Sequence, residues 1–198
     1  MKKLLIATNN KGKVKEIQEL LKDMDIELVT PLDIALELDV IENGKTYLEN
    51  AEKKASAFAH ASGFISLADD SGLEVDALNG APGLYSARYS PKPEATDKDR
   101  RAYLLQNLQG KPHPWTARFH ATIAIAVPDQ KVEWTEGQCE GQIITEERGT
   151  GGFGYDPIFF IPELNQTMAE LSMEQKNRLS HRARAIVNAK PILKKIFL

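Results

Sequence analysis

Strands and helices alternate through the first half of this chain and an antiparallel hairpin fills its middle. Together these predict an α/β fold built on a mixed twisted sheet with flanking helices. Leu4-Leu5-Ile6-Ala7 is a short unbroken apolar run, as in a strand covered on both faces, and it ends at the polar segment Thr8-Asn9-Asn10-Lys11-Gly12-Lys13. Val14, Ile17, Leu20, Leu21 and Met24 then recur at helical spacing. Ile26, Leu28 and Val29 read as a strand broken by Pro31. Thr46 and Glu49 form a capping box, followed by an Ala-rich helix from 47 to about 60 that Gly63 closes. Residues 64–68 are a further apolar strand, with Asp69-Asp70-Ser71-Gly72 at its end, and Gly80-Ala81-Pro82-Gly83 is loop.

Thr96, Asp97 and Asp99 start a helix that runs through Leu108 and stops at Gly110, with a charged face suited to solvent. From Ala117 to Val127 apolar and polar residues alternate, the pattern of a half-buried strand, and Pro128-Asp129-Gln130 turns it back into a strand ending at Cys139. A glycine-rich loop at 149–154, a strand at 157–161 and a helical end complete the chain.

The 198 residues suit a single domain covering 1–198, and 42% hydrophobic with 27% charged residues is a globular balance. With 25 Lys+Arg against 28 Asp+Glu the net charge is −3, so there is no positive excess to hold a nucleic acid polymer or a membrane surface. A small phosphorylated ligand needs only a few converging Lys and Arg. The single Cys139 excludes an internal disulfide and a multi-cysteine metal site, and reads as a packed strand residue. Neither a signal peptide nor a membrane span is legible, so cytoplasmic residence is expected.

Five stretches could carry chemistry. Residues 8–13 place helix-start amides beside two lysines, a cradle for phosphate, although solvated lysines on a strand–helix turn would read the same. It is not a Walker A loop, since it has one glycine and Val14 follows Lys13. Asp69 and Asp70 stand where open α/β sheets bind ligands, and paired carboxylates suit Mg²⁺ bound jointly with substrate phosphates. Asn50 and Lys54, four apart on one helix face, could reach the same edge.

In the glycine-rich loop, Phe153 and Tyr155 could stack on a base. Finally, Ser172 and Gln175 form a second capping box before Lys176, Ser180, His181 and Arg182. On one continuous helix His181 and Arg182 would point away from Lys176. For the three to act together the helix must break near Leu179, with Ser180 capping a new one.

Taken jointly, five motifs in chain order resemble the inosine/xanthosine triphosphate pyrophosphatase family: residues 8–13; Glu42-Asn43-Gly44-Lys45-Thr46 with Glu49-Asn50-Ala51 and Lys54-Ala55; Ala68-Asp69-Asp70-Ser71-Gly72-Leu73 with Gly80-Ala81-Pro82-Gly83; Phe153-Gly154-Tyr155-Asp156-Pro157; and Lys176 with Ser180-His181-Arg182. They span residues 8 to 182. The expected architecture is two lobes with a central substrate cleft. The resemblance implies conversion of ITP, dITP or XTP to the monophosphate plus pyrophosphate, with Mg²⁺ and as a homodimer. It further implies that Thr8, Asn9, Asn10, Lys11, Gly12, Lys13 and Lys54 hold the triphosphate, and that Glu42 and Asp70 bind the metal, with Asp70 as proton acceptor. Ser71 would touch substrate, and Phe153, Gly154, Tyr155, Asp156, Lys176, His181 and Arg182 would form the base pocket.

His181 and Arg182 are the expected donors to the 6-oxo group that hypoxanthine and xanthine carry and adenine lacks. Two rivals stay open: a nucleotide-binding sensor without turnover, and a pyrophosphatase for another modified nucleotide. The role of Asp69 beside Asp70 is also open.

Overall fold

The first strand, β1 (Lys3–Ile6), has three fully buried residues, Leu4, Leu5 and Ile6, because it lies inside the sheet. It pairs in parallel with β2 (Glu27–Val29) on one side and with β3 (Ile65–Val75) on the other. The computed structural model describes residues 2–197. Its strands hydrogen-bond in the order β2-β1-β3-β4-β5-β6-β7, where β4 is Trp115–Ala126, β5 Glu133–Ile143, β6 Phe159–Ile161 and β7 Gln166–Thr167. β5, β6 and β7 are antiparallel, so the sheet is mixed, as the sequence predicts.

The chain divides into two compact units. The first comprises residues 1–70, 121–137 and 181–198; the second comprises residues 71–120 and 138–180.

In the first unit α1 (Lys11–Leu21) is capped by Asn10, whose side-chain oxygen accepts from the amides of Gly12 (2.9 Å) and Lys13 (3.1 Å). Ile17, Leu20 and Leu21 bury one face of α1 among residues of α5 (His181–Phe197), including Ala185, Ile186 and Ala189. The other core of this unit joins Leu5, Ala7 and Ala68 to Ala51, Ala55, Phe58 and Ala59 of α2 (Tyr47–Ser62). Alanines at this i, i+4 spacing let α2 lie close to the strands. Gly63 ends α2 in the left-handed region at φ 71°, donating its amide to the Ala59 carbonyl.

The second unit packs α3 (Asp97–Leu108) through Leu104 and Leu108 against Trp115, Phe119, Phe159 and Leu171. It also holds α4 (Met173–Leu179). Cys139 is buried on β5.

Three local expectations need correction. β3 does not end at Ala68 but runs on to Val75, because Leu73 and Val75 are fully buried in the second core and the Leu73 amide finds the Ser86 hydroxyl at 2.9 Å. Asp69 and Asp70 therefore lie within a strand rather than past its end. β4 alternates only at its start; residues 121–126 are all buried, so its later half is covered on both faces. At the start of α2 only half the capping box forms. Thr46 Oγ1 accepts from the Glu49 amide (3.1 Å), but the Glu49 carboxylate accepts from Lys45 N (2.7 Å) instead of from Thr46.

The chain does break between α4 and α5: Ser180 is extended (φ −66°, ψ 155°), and His181 opens a fresh helix. Gly137 on β5 supports that opening. A Cβ there would overlap the His181 carbonyl and the Ala185 amide and come within 2.8 Å of Arg184 Cβ. We expect Gly137→Ala to cost about 1–3 kcal/mol in urea unfolding, as overpacking against backbone does. A stability equal to the parent's would mean that α5 does not rest on this glycine.

Candidate active site

Adjacent residues of a strand face opposite sides, and this separates Asp69 from Asp70. Asp69 is 1% exposed and meets α1 and α5. Lys13 Nζ donates to its Oδ1 at 2.8 Å and to its carbonyl at 3.3 Å, while Arg182 Nε donates to its Oδ2. Arg182, also 1% exposed, passes Nη1 to the buried Glu16 carboxylate. Burial pushes the Asp69 carboxyl up, but Arg182 and Lys13 outweigh it and hold the group far below the usual carboxylate range. For Lys13 burial wins and the ammonium pKa falls, although Asp69 opposes the shift.

Asp70 faces α2. Its Oδ2 accepts from Asn50 Nδ2 at 3.1 Å, and Asn50 Oδ1 in turn accepts from the Gly44 amide at 2.7 Å. One buried amide side chain thus fixes the 42–45 segment and the Asp70 carboxylate together. Gly44 is obligatory here, since a Cβ would stand 2.6 Å from Asn50 Oδ1 and 2.8 Å from Glu49 Cβ. Glu42 reaches Lys54 Nζ at 2.9 Å, and Lys54 is a buried residue rather than a surface lysine. Burial raises the pKa of Asp70; Lys54, Lys13 and Asn50 oppose the rise and Glu42 adds to it.

The donor set around Asp70 fits a hard divalent cation. Two carboxylates repel each other at one partly desolvated place. Mg²⁺ asks for one or two such groups and completes its shell with water and phosphate oxygens. Among the described residues no group of three or more His, Cys, Asp and Glu side chains is placed to hold a metal ion.

Thr8 Oγ1 accepts from the Asn10 amide at 3.2 Å and helps shape the turn, in which Asn9, Asn10 and Lys11 are exposed. The 8–13 turn, Glu42, Lys54, Asp70, His181 and Arg182 all belong to the first unit. The remaining sequence-predicted residues, Ser71, Phe153, Gly154, Tyr155, Asp156 and Lys176, belong to the second.

In the second unit Asp156 is the local centre. Its Oδ2 accepts from the Phe153 amide (3.0 Å) and from Lys176 Nζ (2.7 Å), and that ammonium lies 5.3 Å from the centroid of the Phe153 ring. Tyr155 is buried and donates its hydroxyl to the Ser86 carbonyl at 2.9 Å, with its pKa pushed up by burial. Of the two aromatic residues in the loop, Phe153 is half-buried and Tyr155 buried.

The Asp69 role left open by the sequence is a salt-bridge hub. Glu16 was missed altogether: one turn beyond Lys13, it reads as an ordinary solvated helix residue. Arg182, expected as a donor to a base, has two of its nitrogens engaged by Asp69 and Glu16, which fixes the plane of the guanidinium.

The chain belongs to the Ham1 family, whose model matches residues 4–192. A protein of Desulforamulus reducens named dITP/XTP pyrophosphatase is 51% identical over 197 residues, covering 99% of this chain and 98% of its own. One of the same name from Listeria monocytogenes is 48% identical over 187 residues, 94% of this chain and 92% of its own. The solved structure of a HAM1 protein from Coxiella burnetii superposes with a TM-score of 0.88 at 39% identity, covering 98% of this chain and all of that one (100%).

Removing one partner from a buried ion pair strands the other, so Asp69→Asn is expected to lose about 3–5 kcal/mol of stability in urea unfolding. Because the folded-state pKa of Asp69 is depressed, its contribution is complete above the unfolded value of about 3.9 and is lost as pH falls toward the folded one. The deficit of the variant should be constant from about pH 5 to 8 and shrink below about pH 4. A deficit under about 1 kcal/mol at neutral pH would contradict the hub.

Proposed function

We propose that this chain hydrolyses deaminated purine nucleoside triphosphates, ITP, dITP and XTP, to the monophosphate and pyrophosphate, and so removes them from the precursor pool. The observation that carries this reading is the pairing on β3 of a structural and a chemical carboxylate: Asp69 secures Lys13, and Asp70 stands beside Glu42 and Lys54. The names of near full-length relatives support the substrate class.

The 8–13 turn and Lys54 hold the triphosphate. Glu42 and Asp70 would hold Mg²⁺, which when bound offsets negative charge on the polyphosphate. Asp70 orients a water and takes its proton as the water oxygen bonds to the α phosphorus. The bond from that phosphorus to the bridging oxygen breaks, and pyrophosphate leaves against the charges of Lys13 and Lys54. Burial makes Asp70 a stronger base than an exposed carboxylate, and Asn50 keeps its lone pairs aimed.

Phe153 stacks on the base, with Gly154 to Asp156 and Lys176 around it, and Ser71 contacts substrate. His181 and Arg182 offer donors to the 6-oxo group. ATP would set its 6-amine against those donors, at a cost of about 1–3 kcal/mol for each unpaired group. The homodimer and cytoplasmic residence belong to the same proposal. Consistent with the latter, no helix among the described residues is long and apolar enough to cross a membrane.

Pyrophosphate release measured across ITP, XTP, GTP, ATP and dUTP, with and without Mg²⁺, is expected to be fast only for ITP and XTP and only with the metal. Binding without release would favour a sensor, and a preference for dUTP another substrate. Asp70→Asn should fold and lose about 10²–10⁴-fold in kcat; near-normal turnover would remove Asp70 from the base role. His181→Ala should narrow the ITP-over-ATP preference by about tenfold, roughly one hydrogen bond. Equal weakening on both nucleotides would refute that assignment.

A further inference from the structure

The charged face of α3, which the sequence offers as solvated, grips the glycine-rich loop. Asp97 Oδ2 accepts from the Gly154 amide at 2.7 Å, and Arg101 Nη1 donates to the Gly154 carbonyl at 2.7 Å. Both backbone groups of one residue are therefore held by side chains one helical turn apart. The same Arg101 guanidinium makes a two-point bond to Glu147, Nε to Oε1 and Nη2 to Oε2, both at 2.9 Å. It thereby ties together positions 147 and 154, which bracket the run Gly149, Gly151 and Gly152. The ties are charge-assisted: Arg101 holds the Glu147 carboxyl below its usual range, and the Asp97 carboxyl is lowered by Arg100 and the Gly154 amide against the effect of burial.

Gly154 sits at φ 62°, in the left-handed region that glycine adopts freely, so these hydrogen bonds rather than side-chain packing of its own fix its peptide. On either side of it stand Phe153, whose amide is fastened to Asp156, and Tyr155, whose hydroxyl is fastened to Ser86. Phe153 itself is half-buried, with the Lys176 ammonium 5.3 Å from its ring centroid.

We propose that Asp97 and Arg101 are positioning residues for base recognition: they set the Gly154 peptide and so hold the Phe153 ring where a purine stacks. This rests on the nucleotide reading above. Neither residue touches the base; both act by lowering the ordering cost of the loop on binding. Loss of the clamp therefore acts on nucleotide affinity, while the groups that hold phosphate and carry out the cleavage, all in the first unit, are unaffected.

The test compares the parent with Arg101→Gln and Asp97→Ala in two measurements. In amide hydrogen exchange on the free protein, both variants should exchange faster across residues 149–156, with residues 8–21 and 65–70 unchanged. In kinetics with Mg²⁺, KM for ITP should rise about tenfold while kcat stays within about twofold, and inhibition by Mg-pyrophosphate, which lacks a base, should not move. Glu147→Gln, altering an exposed carboxylate, should give the same pattern more weakly and guards against a variant that does not fold. Unchanged exchange in 149–156 would overturn the clamp whatever the substrate. Unchanged KM, or equal loss of kcat and of pyrophosphate inhibition, would overturn its role in base recognition. Parent protein inactive on ITP would instead count against the proposed function, leaving the exchange result to decide the clamp.

Discussion

A carboxylate at 1% exposure cannot stay ionised without partners, and Asp69 has two, Lys13 and Arg182, brought from opposite ends of the chain. Glu16 engages the second guanidinium nitrogen, so Lys13, Asp69, Arg182 and Glu16 alternate in sign along one buried chain of ion pairs. That arrangement constrains the rest of the first unit. It requires α1 to present Lys13 and Glu16 on one face, the chain to break at Ser180 so that Arg182 falls in the first turn of α5, and β3 to run on through the pair of aspartates. Such pairs add little net stability over apolar packing, but losing one member is costly, which favours a single arrangement.

The alternation of β3 then assigns the two aspartates different work. The face holding Asp69 fixes Lys13, while the face holding Asp70 meets Asn50, Glu42 and Lys54 through α2 and the 42–45 segment. Two lysines of the first unit, Lys13 and Lys54, are each paired to a carboxylate, and each lowers the affinity of Asp70 for a proton against the burial that raises it. A polyphosphate and a divalent cation would complete this charge pattern. In the second unit the loop of Phe153 depends on a parallel device, a backbone fastened by ionised side chains from a neighbouring helix.

Much of this was legible in the sequence. The 8–13 turn at a helix start and the Gly63 cap follow from local rules, and local contacts determine them; the strand of residues 4–6 is legible as an apolar run although its pairing partners are distant. The misplaced end of β3 shows where such rules fail. Asp-Asp-Ser-Gly looks like a turn in isolation, but Leu73 and Val75 are drawn into a core whose buried members reach as far along the chain as Leu171. The same holds for the site. Residue types at Lys13, Lys54 and Asp70 point to phosphate and metal on their own, whereas Glu16, Asp97 and Arg101 matter through tertiary partners at separations of 46 to 166 residues. No spacing in the sequence encodes those pairings.

The central claim is that Asp69 organises and Asp70 reacts. It is tested most directly by a crystal structure grown with Mn²⁺ and a non-hydrolysable ITP analogue, with the metal located by its anomalous signal. The account predicts the metal at the carboxylates of Glu42 and Asp70, phosphate oxygens at Lys13 and Lys54, and Asp69 still bonded to Arg182. A metal ligated by Asp69, with Arg182 released from it, would contradict the account.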